Sequence, residues 1–560
     1  MLRRRRAGNV GPVRASAIAL AVLLATGCKF PELPPLDETD AGDGDAGGPD
    51  ADLTTPQRLT VSVLGEGVVM SSPTGIDCGT ACAADFDPLS TVSLTPTAAA
   101  SSVFEEWSGA CTGPGACAIT MDGAKSASAR FALHGAVRWV HHVSRSGDDY
   151  AADVVVDPSG NAVVASTIDD GGGFDILVSK LSGVDGLSVW TQHFDTPDPG
   201  GSEQVEALTV DSSGNVYVAV SLQGNGNAVT YGTHAVVGDP FFNIVVMRLA
   251  SANGAVDWVK QWGGPSTDRP TALALSGNDL YVVGKTSSNP STFDGRSIAG
   301  QSGNGFVVRV NAQTGAVAEL KLIPGTVDMN SVAVNGTNLV VGGAVRTATT
   351  VETGCAFSPS GAGSDAMLLA LSGSTLSCQW ARNFGDTISN NDAHVISIAT
   401  FAAGGWAVAG HFEGGLAGLT ATSLGSRGDF DIFAARFAVD GTHQWSFRYG
   451  DVAGEFAGAI ATTPPGNVIL SGSFSGSIVL GSFTVTGVSN AFVTRMSSVA
   501  VPTHEWAVSL GGNEFDSARS VVAAPDGSVY VLSDFSGMTT VGATPLSAQA
   551  QDAWLAALVR

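Results

Sequence analysis

Hydrophobic and polar positions alternate along this chain with the two-residue period of half-buried strands. Leu59-Thr-Val-Ser-Val63, Thr91-Val-Ser-Leu-Thr-Pro96 and Ser126-Ala-Ser-Ala-Arg-Phe-Ala132 read this way, with turn residues between them. Past residue 136 the pattern repeats about every sixty residues, a period that signals an array of like units. Each unit ends in an aromatic-led strand: Trp139-Val-His-His-Val143, Trp190-Thr-Gln-His-Phe194, Trp258-Val-Lys-Gln-Trp262, Trp380-Ala-Arg-Asn-Phe384, Trp445-Ser-Phe-Arg-Tyr449 and Trp506-Ala-Val-Ser-Leu510. Glu319-Leu-Lys-Leu-Ile323 is the degenerate seventh copy. No amphipathic helix of useful length interrupts the series.

A second mark is a turn feeding a strand, as in Asp157-Pro-Ser-Gly-Asn161, Asp211-Ser-Ser-Gly-Asn215 and Asp526-Gly-Ser-Val-Tyr-Val. Glycine and asparagine there supply the positive φ of tight turns. A third is a strand opening at Asp175, Asn243, Asn304, Asp365, Asp431, Asn490 or Asp552. With a short apolar strand before each turn, every unit holds four strands, the content of a propeller blade. The region begins with a unit-ending strand and stops after a third strand. Pairing residues 137–143 with 552–559 repairs both faults and removes an unpaired edge. The expected fold is all-β: a small disulfide-stapled β domain, then a seven-bladed β-propeller whose last blade strand 137–143 closes.

The N-terminus changes the picture. Arg3, Arg4, Arg5 and Arg6 precede an uncharged apolar run over residues 15–25, too short for the ~20 residues that span a bilayer. The run ends in Leu24-Ala25-Thr26-Gly27-Cys28, which resembles a bacterial lipobox, with Ala25 where that pattern prefers leucine. The resemblance implies a diacylglyceryl group on Cys28, which becomes the mature N-terminus and a membrane anchor. A simple cleaved signal with a chance cysteine is the alternative. Lys29 follows in place of the aspartate linked to inner-membrane retention, so an outer-membrane lipoprotein, periplasmic or surface-exposed, is expected. Residues 1–27 are then the signal peptide, 28–56 an acidic disordered tether, 57–135 the small β domain and 136–560 the propeller. The tether is rich in Pro, Gly and Asp but lacks the glycine and glutamate spacing of a calcium-binding loop.

The formal charge is −24, and loss of the five arginines in residues 1–27 takes it to −29. Such a surface repels phosphate backbones, so nucleic acid is not an expected partner. Six cysteines remain after Cys28. Cys78, Cys82, Cys111 and Cys117 cluster in the small domain, with three connectivities open, while Cys355 and Cys378 lie close together in a later unit. An exported chain favours disulfides over zinc at Cys78-Gly-Thr-Ala-Cys82.

Three further stretches resemble known families. Gly65-Glu-Gly67, the Cys78/Cys82 pair, Glu106-Trp107-Ser-Gly109 and Met121-Asp-Gly-Ala-Lys125 resemble the bacterial repeat domain related to the internalin B-repeat, which implies a spacer or adhesive module. Asp211-Ser-Ser-Gly-Asn-Val-Tyr-Val, with Gly410-His-Phe-Glu-Gly414 and Gly472-Ser-Phe-Ser-Gly476, resembles the bacterial β-propeller repeats abbreviated SBBP, which implies fold and export but no defined chemistry. Thr314-Gly315-Ala-Val and Asp440-Gly-Thr-His-Gln-Trp445 resemble the tryptophan-docking text of quinoprotein propellers, although the adjacent cysteines common in those dehydrogenases are missing.

No residue set stands out as catalytic or metal-binding, and no cofactor is expected. His141 and His142 are neighbours on one strand and point to opposite faces. No His-Glu-x-x-His, Gly-x-Ser-x-Gly or phosphate loop occurs. The recurring Asp and Asn at third-strand starts read as turn caps rather than a ligand ring. The functional expectation is a monomeric, lipid-anchored, non-catalytic binding or scaffold module at the cell envelope, whose partner is an envelope protein or a polysaccharide. The alternative is a propeller hydrolase or lyase acting on extracellular polysaccharide.

Overall fold

The computed structural model describes residues 55–195, 201–387, 390–419 and 423–560. Cys28, the signal segment and nearly all of the tether lie outside them. Every helix-or-strand element among the described residues is a strand, and no helix there is long and apolar enough to cross a membrane.

Residues 57–133 build two facing four-stranded sheets. In one, Gln57–Leu64 runs parallel to Lys125–Leu133 and antiparallel to Ala83–Phe86, and Ser102–Gly109 flanks the far side. The other joins Asp77–Cys78, Gly67–Ser72, Thr91–Ala98 and Cys117–Thr120. Alternation buries Leu59, Val61, Val69, Val92, Trp107 and Phe131 between them. Gly67 is glycine because the Phe131 ring lies on it; a Cβ there would come within 2.5 Å of that ring. Disulfides join Cys78 to Cys82 and Cys111 to Cys117, so nearest neighbours pair and one of the three open connectivities is chosen. Staples of this kind supplement a core too small to hold itself firmly.

The rest of the chain repeats one motif. Tyr150–Val156, Ala162–Asp169, Phe174–Leu181 and Ser188–Phe194 form an antiparallel set in sequence order, and the order recurs over residues 202–262, 268–323, 327–384, 393–449 and 456–510. In the last set Asp516–Ala523, Val529–Val541 and Thr544–Leu558 are joined by Val137–Val143 from the start of the region, with Val143 opposite Ala553 and Val137 opposite Leu558. Second and third strands are buried on both faces, as in Ala162–Asp169 and Asn243–Leu249, because neighbouring sets cover both sides. Outer strands such as Ser188–Phe194 alternate between buried and exposed.

Tryptophan and glycine lock adjacent sets together. Trp139, Trp190, Trp258 and Trp380 each donate the indole N–H to a carbonyl in the next set, those of Gly183, Ser251, Ala312 and Val439, at 3.0–3.2 Å. Beneath the rings lie Gly186, Gly254, Gly315 and Gly441, all at positive φ, where a Cβ would meet the indole at 2.7–3.0 Å. The docking text around Gly315 and Gly441 is therefore one instance of a general seam.

The connections between second and third strands vary from set to set. Short hairpins fill four of them, for example Ala228–Tyr231 with His234–Val237. In the last two sets the strands simply continue as long ribbons, Val468–Leu480 with Phe483–Met496 and Val529–Val541 with Thr544–Leu558. The third strands therefore open well before Asn490 and Asp552. Bulges near Gly476 and Gly537, both at positive φ, bend each ribbon without ending it.

Candidate functional site

The first strand of every set carries a bulge at the same place, and the extra residues are Ala152, Glu206, Thr271, Asn330, Ile396, Gly458 and Arg519. All line one cavity of about 500 Å³ that the first strands share. A bulge turns a side chain out of the pleat, which is why such positions gather where a sheet meets a ligand or a neighbour.

In four of the sets the residue after the bulge, Asp153, Ser331, Ser397 or Ser520, ties one first strand to the next. Asp153 accepts from the Leu208 amide at 2.8 Å, Ser331 from Ile398 at 3.0 Å and Ser397 from Ile460 at 3.1 Å. The Ser520 hydroxyl donates to Asp153 at 2.7 Å, linking the last set to the first. Burial raises the Asp153 carboxyl above its ordinary pKa, and these bonds oppose the rise. Burial likewise raises Glu206, opposed by the Ser221 hydroxyl and by Arg269.

Two residues before each bulge stand Tyr150, Gln204, Arg269, Asp328, His394, Phe456 and Ser517, at the hairpin-side, or mouth, end of the first strands. Arg269 lies 3.5 Å over the Phe242 ring and donates to Gln204 at 2.8 Å. Lys285 pairs with Asp328, and Arg346 with Asp392 at 3.3 Å. His411 meets Phe430 and Phe456 edge to face at 5.1 and 5.3 Å. Burial, with His394 adding to it, pulls the His411 pKa down to about 4, so its ring is neutral near pH 7.

The residues singled out in the sequence fall elsewhere. Cys355 and Cys378 are bonded, joining a hairpin to the outer strand of the same set. His142 Nε2 donates to the Asp552 carboxylate at 2.8 Å within the last set, a structural pairing. The third-strand acids and amides act as caps: Asn304 accepts from the Gln301 amide at 2.9 Å, Asp365 from Ser360 at 3.3 Å and Asp431 from Arg427 at 3.2 Å. They also bond the outer strand, as Asn383 does to Asp365 at 2.7 Å. The bulge and mouth residues were missed, because a bulge shifts register by one and leaves no mark in an alternating pattern. Asp170, Asp175 and His193 also come together, with ligand atoms within 4.8 Å of one another. Their spacing in the sequence gives no hint of it.

Four-stranded antiparallel sets repeated around a shared cavity define a β-propeller. No protein-family model matches the chain, and no curated protein does. Among solved structures it is similar to the Dos1 propeller, with 11% identity, 75% of this chain and 95% of that one covered, and a TM-score of 0.38. The WD40 β-propeller domain of Doa1 gives 9% identity, 76% and 97% coverage and 0.38. Quinohemoprotein alcohol dehydrogenase from Comamonas testosteroni gives 11%, 76% and 76%, and 0.38. Likeness at this level concerns architecture alone and assigns no activity.

Proposed function

We propose that the chain is a lipid-tethered binding module of the cell envelope, built as a closed ring of seven blades. Val137–Val143 completes the last blade, and the ligand enters at the hairpin-side mouth. Acylation at Cys28 anchors the chain in the outer membrane, and residues 29–56 hold the ring away from the bilayer. The envelope partner is a polysaccharide or a protein.

One observation carries the binding role. Seam positions repeat from blade to blade, with tryptophan on glycine four times over. Bulge positions do not repeat: Ala, Glu, Thr, Asn, Ile, Gly and Arg occupy equivalent places around one cavity. Repetition serves the scaffold, and departure from it at a concave surface serves recognition. The order of first strands supports closure, since Tyr150–Val156 packs against both Ser202–Val210 and Asp516–Ala523.

The test has two arms. Labelled palmitate should enter the wild-type chain and not Cys28→Ala, which should leave the membrane fraction. Binding to envelope polysaccharide should fall when Gln204, Phe456 and Ser517 are all replaced by alanine. A labelled C28A chain overturns the anchor, and undiminished binding by the triple variant overturns the mouth.

A further inference from the structure

A cleft of about 370 Å³ opens off the central cavity where the fifth, sixth and seventh blades meet, lined by His411, Phe456, Ser473, Phe515, Ser517 and Arg519 among others. It exists because the sixth blade has Gly458 at its bulge. A Cβ there would come within 2.2 Å of the Ala518 carbonyl, so this blade places no side chain between Ile396 and Arg519.

Arg519 is built in. Its Nε donates to Asp534 at 2.5 Å, and that carboxylate is fully buried and also accepts the Ala151 amide at 2.6 Å. One of the five guanidinium N–H donors is thereby used. The Nη groups make no hydrogen bond among the described residues, and the side chain is 48% exposed. An arginine oriented through Nε presents a planar fork, and the group that matches it in charge and geometry is a carboxylate.

The rings beside it are equally unusual for a surface. Phe456 is 41% exposed and Phe515 43%. Phe456 is braced from behind by His411 and by Phe430 at 5.4 Å, so its outer face stays fixed. Ser473, directly opposite Phe456 in the strand register, and Ser517 offer hydroxyls with no partner among the described residues. The cleft thus supplies a fork for one anion, flat apolar faces and two hydroxyls.

We propose that this cleft binds a uronic-acid unit at the end of a polysaccharide chain, its carboxylate on Arg519 and its C–H face on Phe456. This rests on the binding role proposed above and names its ligand class. A simple aromatic acid matches the fork and rings but leaves both serines unanswered; a neutral sugar leaves the fork unanswered. The formal charge of −24 opposes long polyanions, which is why a chain end, carrying few charges, is the fitting occupant.

Titration calorimetry on the full chain in detergent with tetragalacturonate, galactotetraose and phenylacetate tests it. Tetragalacturonate should bind at least about 10-fold more tightly than either control. Arg519→Lys keeps a positive charge for Asp534 but loses the fork, and should weaken it by about 10-fold, the scale of one charge-assisted bond. Phe456→Leu should do the same without unfolding the ring. No uronate binding, equal binding of the neutral sugar, or indifference to both substitutions overturns the proposal. Hydrogen exchange on the same samples separates the two failures. A protected Val137–Val143 with no uronate binding rejects the site alone, and an unprotected strand rejects the ring.

Discussion

The two ends of the cavity are made from the same strands and look nothing alike. At the end where first strands turn into second strands, the same devices recur. Asp157 accepts the Ser159 and Asn161 amides at 2.8 and 2.9 Å, and Asp211 accepts those of Ser213 and Asn215, both at 2.9 Å. A basic residue on the third strand reaches back to the turn, Lys180 to Asp157 at 2.7 Å and Arg309 to Asp279 at 2.9 Å. Apart from the turn aspartates Asp157 and Asp211, the residues lining that end are small and aliphatic or hydroxylic, Pro158, Ala402, Pro464 and Pro525 among them. At the hairpin end a tyrosine, a glutamine, an arginine, an aspartate, a histidine, a phenylalanine and a serine occupy equivalent positions. The difference teaches that one end is constrained by chain reversal, which has few solutions, while the other is free to vary.

Substitutions at the two ends, and at the seams between, should therefore separate by size. Trp190→Ala strips an indole that is 8% exposed and bonded to the next blade, and should cost about 3–5 kcal/mol in denaturant unfolding. Asp157→Ala leaves the buried Lys180 ammonium unpaired and two turn amides without acceptors. Its cost should be about 3 kcal/mol, read as a lower Tm.

The next effect depends on pH. Burial lifts Glu455 to about 7 and Asp149 to about 6, with neighbouring Asp451 and Asp431 adding to the first and Asp552 to the second. Each is raised above its unfolded value, so the folded chain keeps protons that the unfolded chain sheds between about pH 4 and 7. The stability from these groups is present in acid and is lost as pH rises through that window. His411 and His504, pulled down to about 4 by burial, act oppositely, since stability falls as pH drops from 6.5 toward 4. Glu455→Gln isolates the first contribution: it should raise stability at pH 8 by about 1–2 kcal/mol and leave it nearly unchanged at pH 4. Unfolding curves at the two pH values check this.

The smallest effect belongs to the mouth. Phe456→Ser, at a ring 41% exposed, should move stability by about 0.5 kcal/mol or less while changing binding. A seam-sized loss of stability there would erase the contrast between the two ends.

What could be read in the sequence follows the same division. The tryptophan strands, the Asp-x-x-Gly-Asn turns and the phase that leaves residues 137–143 without a blade were visible because they repeat, and repetition is what a linear text displays. Cys355 and Cys378 were visible as neighbours because they fall within one repeat unit. Glu206, Phe456 and Arg519 were not, because each sits where the repeats disagree, and only the bulge shows that they occupy equivalent places. Phe483–Met496 and Thr544–Leu558 ran longer than expected because their glycines bend a ribbon instead of ending it. The grouping of His193 with Asp170 and Asp175 is three-dimensional and has no linear signature.

The central claim is that the first strand of the ring zips onto the last. Val140 lies directly opposite Ala556 in that pairing, whereas Ala553 lies opposite Val143. In the full chain, Val140→Cys with Ala556→Cys should form an intramolecular disulfide under mild oxidation, and Val140→Cys with Ala553→Cys should not. Bonding by neither pair, or equally by both, would contradict the closed ring.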